Sequence, residues 1–117
     1  MRVNGMRLLV SVVLVVAVSV AAATASAAVK PRVITITVTN GRPVGGIKRP
    51  VVKKGTLLRI VVRTNVGTEV HLHGYDIERK VVKGKPVVMQ FVAKLPGRFE
   101  LELHHPDSLL AQLIVKP

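Results

Sequence analysis

From residue 28 onward no stretch keeps an apolar helical period over three turns; short Val-, Ile- and Leu-rich runs alternate instead with turns bearing glycine, proline or asparagine. Residues 33–39 are β-branched throughout, which suits a pleated strand. Residues 98–103 set Phe99, Leu101 and Leu103 against Arg98, Glu100 and Glu102, the pattern of a strand with one buried and one solvated face. Residues 51–52, 56–64, 68–77, 87–93 and 109–115 complete the strand set, with 81–82 as a shorter piece. The turns at 40–46, 54–55, 65–67, 83–86 and 95–97 recur at near-regular spacing. Seven to eight short strands so spaced predict an all-β domain, an antiparallel Greek-key β-sandwich or small barrel, over residues 28–117.

The first 27 residues stand apart. Arg2 and Arg7 carry charge with no acid nearby, residues 8–22 are apolar or small, and Ala25-Ser26-Ala27 has the small-x-small form of a signal-peptidase site. Those regions in that order describe a secretory signal peptide, so export and cleavage after Ala27 are expected. Left uncleaved, residues 8–29 are long enough for an anchor, and only then is a membrane a partner. The chain has no cysteine. Thiolate catalysis, thiolate zinc sites and iron–sulfur clusters are thereby excluded, and no disulfide braces the domain in an oxidising compartment.

Without Arg2 and Arg7, sixteen basic residues face six acidic ones, a net charge of +10. Such a surplus favours an anionic envelope component or envelope protein as partner. The basic residues are dispersed singly or in pairs, and the aromatics are only Tyr75, Phe91 and Phe99. A base-stacking platform is missing, so nucleic acid is not an expected partner.

All four histidines fall in two places. His71 and His73 alternate within His71-Leu72-His73-Gly74-Tyr75-Asp76-Ile77, and His104 and His105 are adjacent. In an extended strand residues i and i+2 share a face, roughly 7 Å apart at the backbone. Neutral imidazole is a ligand for copper and zinc, and Glu69 shares the parity of His71. In an extended strand His104 and His105 face opposite ways, so only one of them can join the pair where a fold brings the two segments together. Parity sets His105 with Leu103, and a turn starting at His104 reverses this.

Several phrases resemble the cupredoxins. Val52-Lys53-Lys54-Gly55-Thr56-Leu57-Leu58-Arg59-Ile60 is similar to their turn into a core strand. His73-Gly74-Tyr75-Asp76-Ile77 resembles the His-x-aromatic-x-aliphatic strand carrying the first copper ligand. Pro96-Gly97-Arg98-Phe99 resembles the turn opening the penultimate strand, and residues 109–115 the closing one. The likeness covers nearly all of residues 33–115 and is similar to secreted bacterial cupredoxin-like domains, including the type attached to iron-uptake lipoproteins. It implies the sandwich and, at one end, neighbouring histidine segments. A blue-copper site needs two histidines, a Cys thiolate and usually an axial Met. By position the cysteine falls on Leu103, the second histidine on Pro106 and the methionine near Leu109, while Met89 lies in another strand. Only the first histidine carries over, as His73 or, in another register, His71. No blue-copper centre is expected.

Two function classes follow. One is a secreted module binding copper or zinc through His71, His73, His104 and His105, for metal carriage or buffering. The other is a metal-free cupredoxin-shaped structural or interaction module whose basic surface docks on an envelope partner. A histidine-bound zinc with an open position is also a hydrolytic arrangement, but acids are few, and Asp107 and Ser108 on one tight loop lack the separation of a triad. The protein is not expected to be an enzyme.

Overall fold

The computed structural model describes Gly5 and residues 10–117; Arg2, Arg7 and the start of the apolar run of the expected leader lie outside the described residues. Residues 10–31 form neither helix nor strand, and no helix among the described residues is long and apolar enough to cross a membrane.

Nine strands follow: β1 Arg32–Thr39, β2 Arg42–Pro43, β3 Val51–Lys53, β4 Leu57–Thr64, β5 Glu69–Leu72, β6 Ile77–Lys80, β7 Val87–Val92, β8 Gly97–His104 and β9 Ser108–Lys116. They form a four-stranded sheet, β2-β1-β4-β7, and a five-stranded sheet, β3-β9-β8-β5-β6. The all-β sandwich agrees with the sequence, but both sheets are mixed rather than antiparallel. β1 runs parallel to β4, and β3 parallel to β9. The reason is the connectivity: the chain passes through the other sheet between β1 and β4, which a parallel pair requires.

The strand count differs for a local reason. Residues 68–77, which read as one strand, divide into β5 and β6 around a turn at 73–76. Gly74 has φ +82°, and a Cβ there would lie 2.5 Å from Phe99 Cδ1. Asp76 also takes positive φ, at 51°. Left-handed backbone at two of four residues reverses the chain where the apolar pattern alone runs straight through. Tyr75 fastens this turn: its hydroxyl donates to Leu95 O at 2.9 Å and accepts from Leu95 N–H at 3.0 Å. Its ring packs on Phe99 and Phe91, with centroids 4.7 and 5.0 Å away.

Alternation sets the core. Leu58, Ile60 and Val62 of β4 are buried, as are Leu101 and Leu103 of β8, while Arg59, Arg63, Glu100 and Glu102 sit on the outer faces. Each such buried Leu, Ile or Val contributes about 1.5–3 kcal/mol relative to exposure. Among the described residues no polar or charged side chain is buried. The space between the sheets is hydrocarbon throughout.

Candidate metal centre

The site is built by register between β5 and β8. Val70 pairs with Leu103, His71 with Glu102 and Leu72 with Leu101. Val70, Leu72 and Leu103 are fully buried and Leu101 nearly so, so the intervening His71 and Glu102 point outward, because paired residues share a face. One residue beyond β5, His73 N–H donates to Glu100 O at 3.0 Å, which keeps His73 on the face of His71. The two rings lie 4.1 Å apart between centroids, tilted by 41°. At the other end of the ladder His104 pairs with Glu69, and its ring lies 6.1 Å from that of His71. One ring nitrogen from each of His71, His73 and His104 falls within 4.8 Å of the other two.

His105 stands apart. It has φ +53°, which turns it off the strand, and its Nδ1 lies 3.1 Å from Thr68 Oγ1. Of the two alternatives the sequence leaves open, the structure sets His104, not His105, beside His71 and His73. Parity with the buried Leu103 would aim a residue between the sheets, whereas the trio shares the solvated face. Along β8 His104 has the parity of Glu100 and Glu102, a signal already present in the sequence.

Each imidazole has its own carboxylate. His73 Nε2 lies 3.0 Å from Glu102 Oε2, His104 Nδ1 3.3 Å from Asp107 Oδ1, and His71 Nδ1 3.8 Å from Glu78 Oε1. Glu78 is the residue opposite His71 on β6. Glu69 lies on the same face, opposite His104, but is not one of the clustered groups. Asp107 is held below the usual aspartate range, first by the His105 N–H and then by the His104 ring. Glu78 and Glu102 were not singled out in the sequence, since their place beside the histidines depends on the turn at 73–76.

The side chains of His71 and His104 are 18% and 24% exposed, and that of His73 is 48% exposed. The three rings thus lie in a half-sheltered bed on the outer face. Inside the sandwich, Leu103 fills the position where the resemblance places a thiolate, and it packs so close to residue 67 that a Cβ there would lie 2.5 Å from Leu103 Cδ1. Met89 is fully buried. Among the described residues neither a thiolate nor a thioether is offered to a metal, and those residues do not fit a blue-copper centre. A cleft of about 540 Å³, lined by Thr64, Asn65, Val66, Gly67, Val81, Lys83 and Gly84, contains none of the four histidines.

Three solved structures of similar fold are of copper proteins. An NMR structure of a copper binding protein in the apo form superposes with TM-score 0.54 at 16% identity, covering 72% of this chain and 86% of that one. A multicopper oxidase gives TM-score 0.57 at 18% identity over 74% of this chain and 42% of that one. The fold is cupredoxin-like. A heme-copper terminal oxidase matches at TM-score 0.55 and 16% identity, over 73% of this chain and 65% of that one. The cupredoxin-like domain thus spans less than two thirds of either oxidase chain it matches. No protein-family model matches the sequence, and neither does any curated protein sequence. In this cupredoxin-like domain the metal-ligating residue types lie on the outer sheet face, not between the sheets.

Proposed function

We propose that the protein is a metal-binding cupredoxin-like module that holds a copper ion between His71, His73 and His104, for carriage or buffering rather than electron transfer or catalysis. The observation that carries this reading is the cluster of three imidazoles, two of which hydrogen-bond a carboxylate, His73 to Glu102 and His104 to Asp107, while Glu78 stands 3.8 Å from His71. Metal-bound histidines almost always hand their second ring nitrogen to such a partner, which fixes the ring and raises its basicity. Three nitrogens bound to one ion at about 2.0–2.1 Å stand roughly 3.3 Å apart at tetrahedral angles, so small rotations of these outer side chains close the cluster. Copper is favoured over other divalent first-row ions at nitrogen sites, and the structures of similar fold include a copper binding protein and a multicopper oxidase. Zinc competes for the same ligand set and is the control. Export, expected from residues 1–27, would place the module in the envelope; intact-mass analysis of the secreted fraction tests for a chain starting at Ala28.

The deciding experiment is a titration of residues 28–117 with copper(II) and with zinc, followed by histidine side-chain NMR. Zinc should shift, and copper(II) broaden, the rings of His71, His73 and His104 before that of His105. Rings unmoved by either metal at stoichiometric excess would leave the domain as a metal-free interaction module.

A further inference from the structure

We propose that the open edge of the four-stranded sheet, backed by its arginine-bearing face, receives an extended acidic segment of a partner protein as an added strand. This stands apart from the metal reading and uses no residue of the histidine cluster.

The backbone makes the first half of the argument. β1 is paired to β4 from Arg32 to Val38, whereas β2 covers only Val38 and Thr39. Val44 N–H donates to Thr37 O at 2.8 Å, so Thr37 aims its peptide groups away from β4. Alternation then aims those of Val33 and Thr35 the same way, along an edge that no strand among the described residues occupies. Native edges are blunted by lysine, proline, bulges or shortness. Residues 33–36 contain none of these devices; they are all β-branched, Val33 is 56% exposed, and the hydrogen bonds of the 44–51 connection to β1 fall at the strand's two ends, Val44 N–H to Thr37 O and Arg32 Nη1 to Val51 O.

Charge makes the second half. All six acidic residues of the chain lie between Glu69 and Asp107. The strands of the four-stranded sheet carry Arg32, Arg42, Arg59 and Arg63 and no acid. Arg59 stands beside Val33 and Arg63 beside Thr37 on the outer face. Every ion pair among the described residues involves a histidine, so these guanidiniums have no carboxylate. A second copy at this edge would set arginines near arginines and one strongly cationic chain against another, formally +12 each. An extended segment with alternating carboxylates instead satisfies the edge through its backbone and the arginines through its side chains.

The test titrates residues 28–117 with a peptide of alternating valine and glutamate, and with the same peptide carrying lysine for glutamate. The acidic peptide should shift the Val33 and Thr35 amides and slow their hydrogen exchange at least about tenfold, while the lysine peptide does neither. Thr35→Pro, or Val33→Pro if the first variant does not fold, should abolish the acidic peptide's effect without disturbing the β1–β4 ladder. The double change Arg59→Glu/Arg63→Glu should weaken binding at least about tenfold. Equal binding of both peptides, undiminished binding by the folded proline variant, or shifts confined to the arginine side chains would overturn strand addition. Concentration-dependent dimers that the proline variant abolishes would overturn the acidic partner in favour of a second copy.

Discussion

His104 stands directly across the β5–β8 ladder from Glu69, and that register sets its ring diagonal to His71, 6.1 Å away between centroids. Diagonal neighbours of an antiparallel pair lie within reach of ring side chains. The trio is therefore a property of two paired strands, not of the loop that follows β8.

Copper should raise the unfolding temperature of the parent and of His105→Ala alike, and leave His73→Ala and His104→Ala unmoved. At a hundredfold excess over the dissociation constant the stabilisation is about 2.7 kcal/mol. Thermal unfolding by circular dichroism, with and without metal, checks it. Loss of the effect in His105→Ala with retention in His104→Ala would reverse the assignment. Because protons compete for the ring nitrogens, affinity should also fall as pH is lowered.

Replacing Glu102 by Gln should weaken copper binding about 10- to 100-fold while the fold is retained. Glu102 reaches His73 at 3.0 Å from the outer face and supports no buried group. Competition against a chelator of known affinity measures the loss. An unchanged affinity would show that the carboxylate is merely a neighbour.

Copper(II) added to the purified domain should give only weak, broad visible absorption. An intense band near ~600 nm belongs to a copper–thiolate bond, and Leu103 occupies the thiolate position with no sulfur on any outer ligand. Visible spectroscopy at equimolar copper decides it.

Gly74→Ala should destabilise the domain by about 1–3 kcal/mol, since φ +82° disfavours a side chain and the new methyl meets Phe99. Copper affinity should fall with it, because His73 heads the same turn. Urea unfolding followed by tyrosine fluorescence reads the first effect, and a metal titration the second.

Asp107 titrates below the usual aspartate range because the His105 N–H and the His104 ring favour its charged form. With the folded-state value the lower one, this contact stabilises the fold above the ordinary value of about 3.9, and the contribution fades as pH falls through the folded value. Carboxyl NMR should show the depressed value returning part-way in His104→Ala. An unchanged titration would sink the contact.

Much of the sandwich was legible because apolar alternation in residues 56–64 and 98–103 survives packing unchanged: the same residues that alternate in sequence alternate in burial. The parallel pairs were not legible, since pairing across the fold depends on which sheet each connection enters. The turn at 73–76 was hidden because Tyr75 and Ile77 extend the apolar pattern, while the reversal is imposed by Gly74 and Asp76. At the site, the identity of the histidines was plain, but their face was not. Only the β5–β8 register places His71 and Glu102 outside.

Leu103 and Val70 close the end of the sandwich with hydrocarbon while the imidazoles sit on its outer wall. An ion that meets this trio arrives from bulk solvent and departs to it, with no lid to lift and no channel to traverse. Exchange at such a wall is a matter of collision and ligand replacement, and its speed is set by what another molecule brings to the surface.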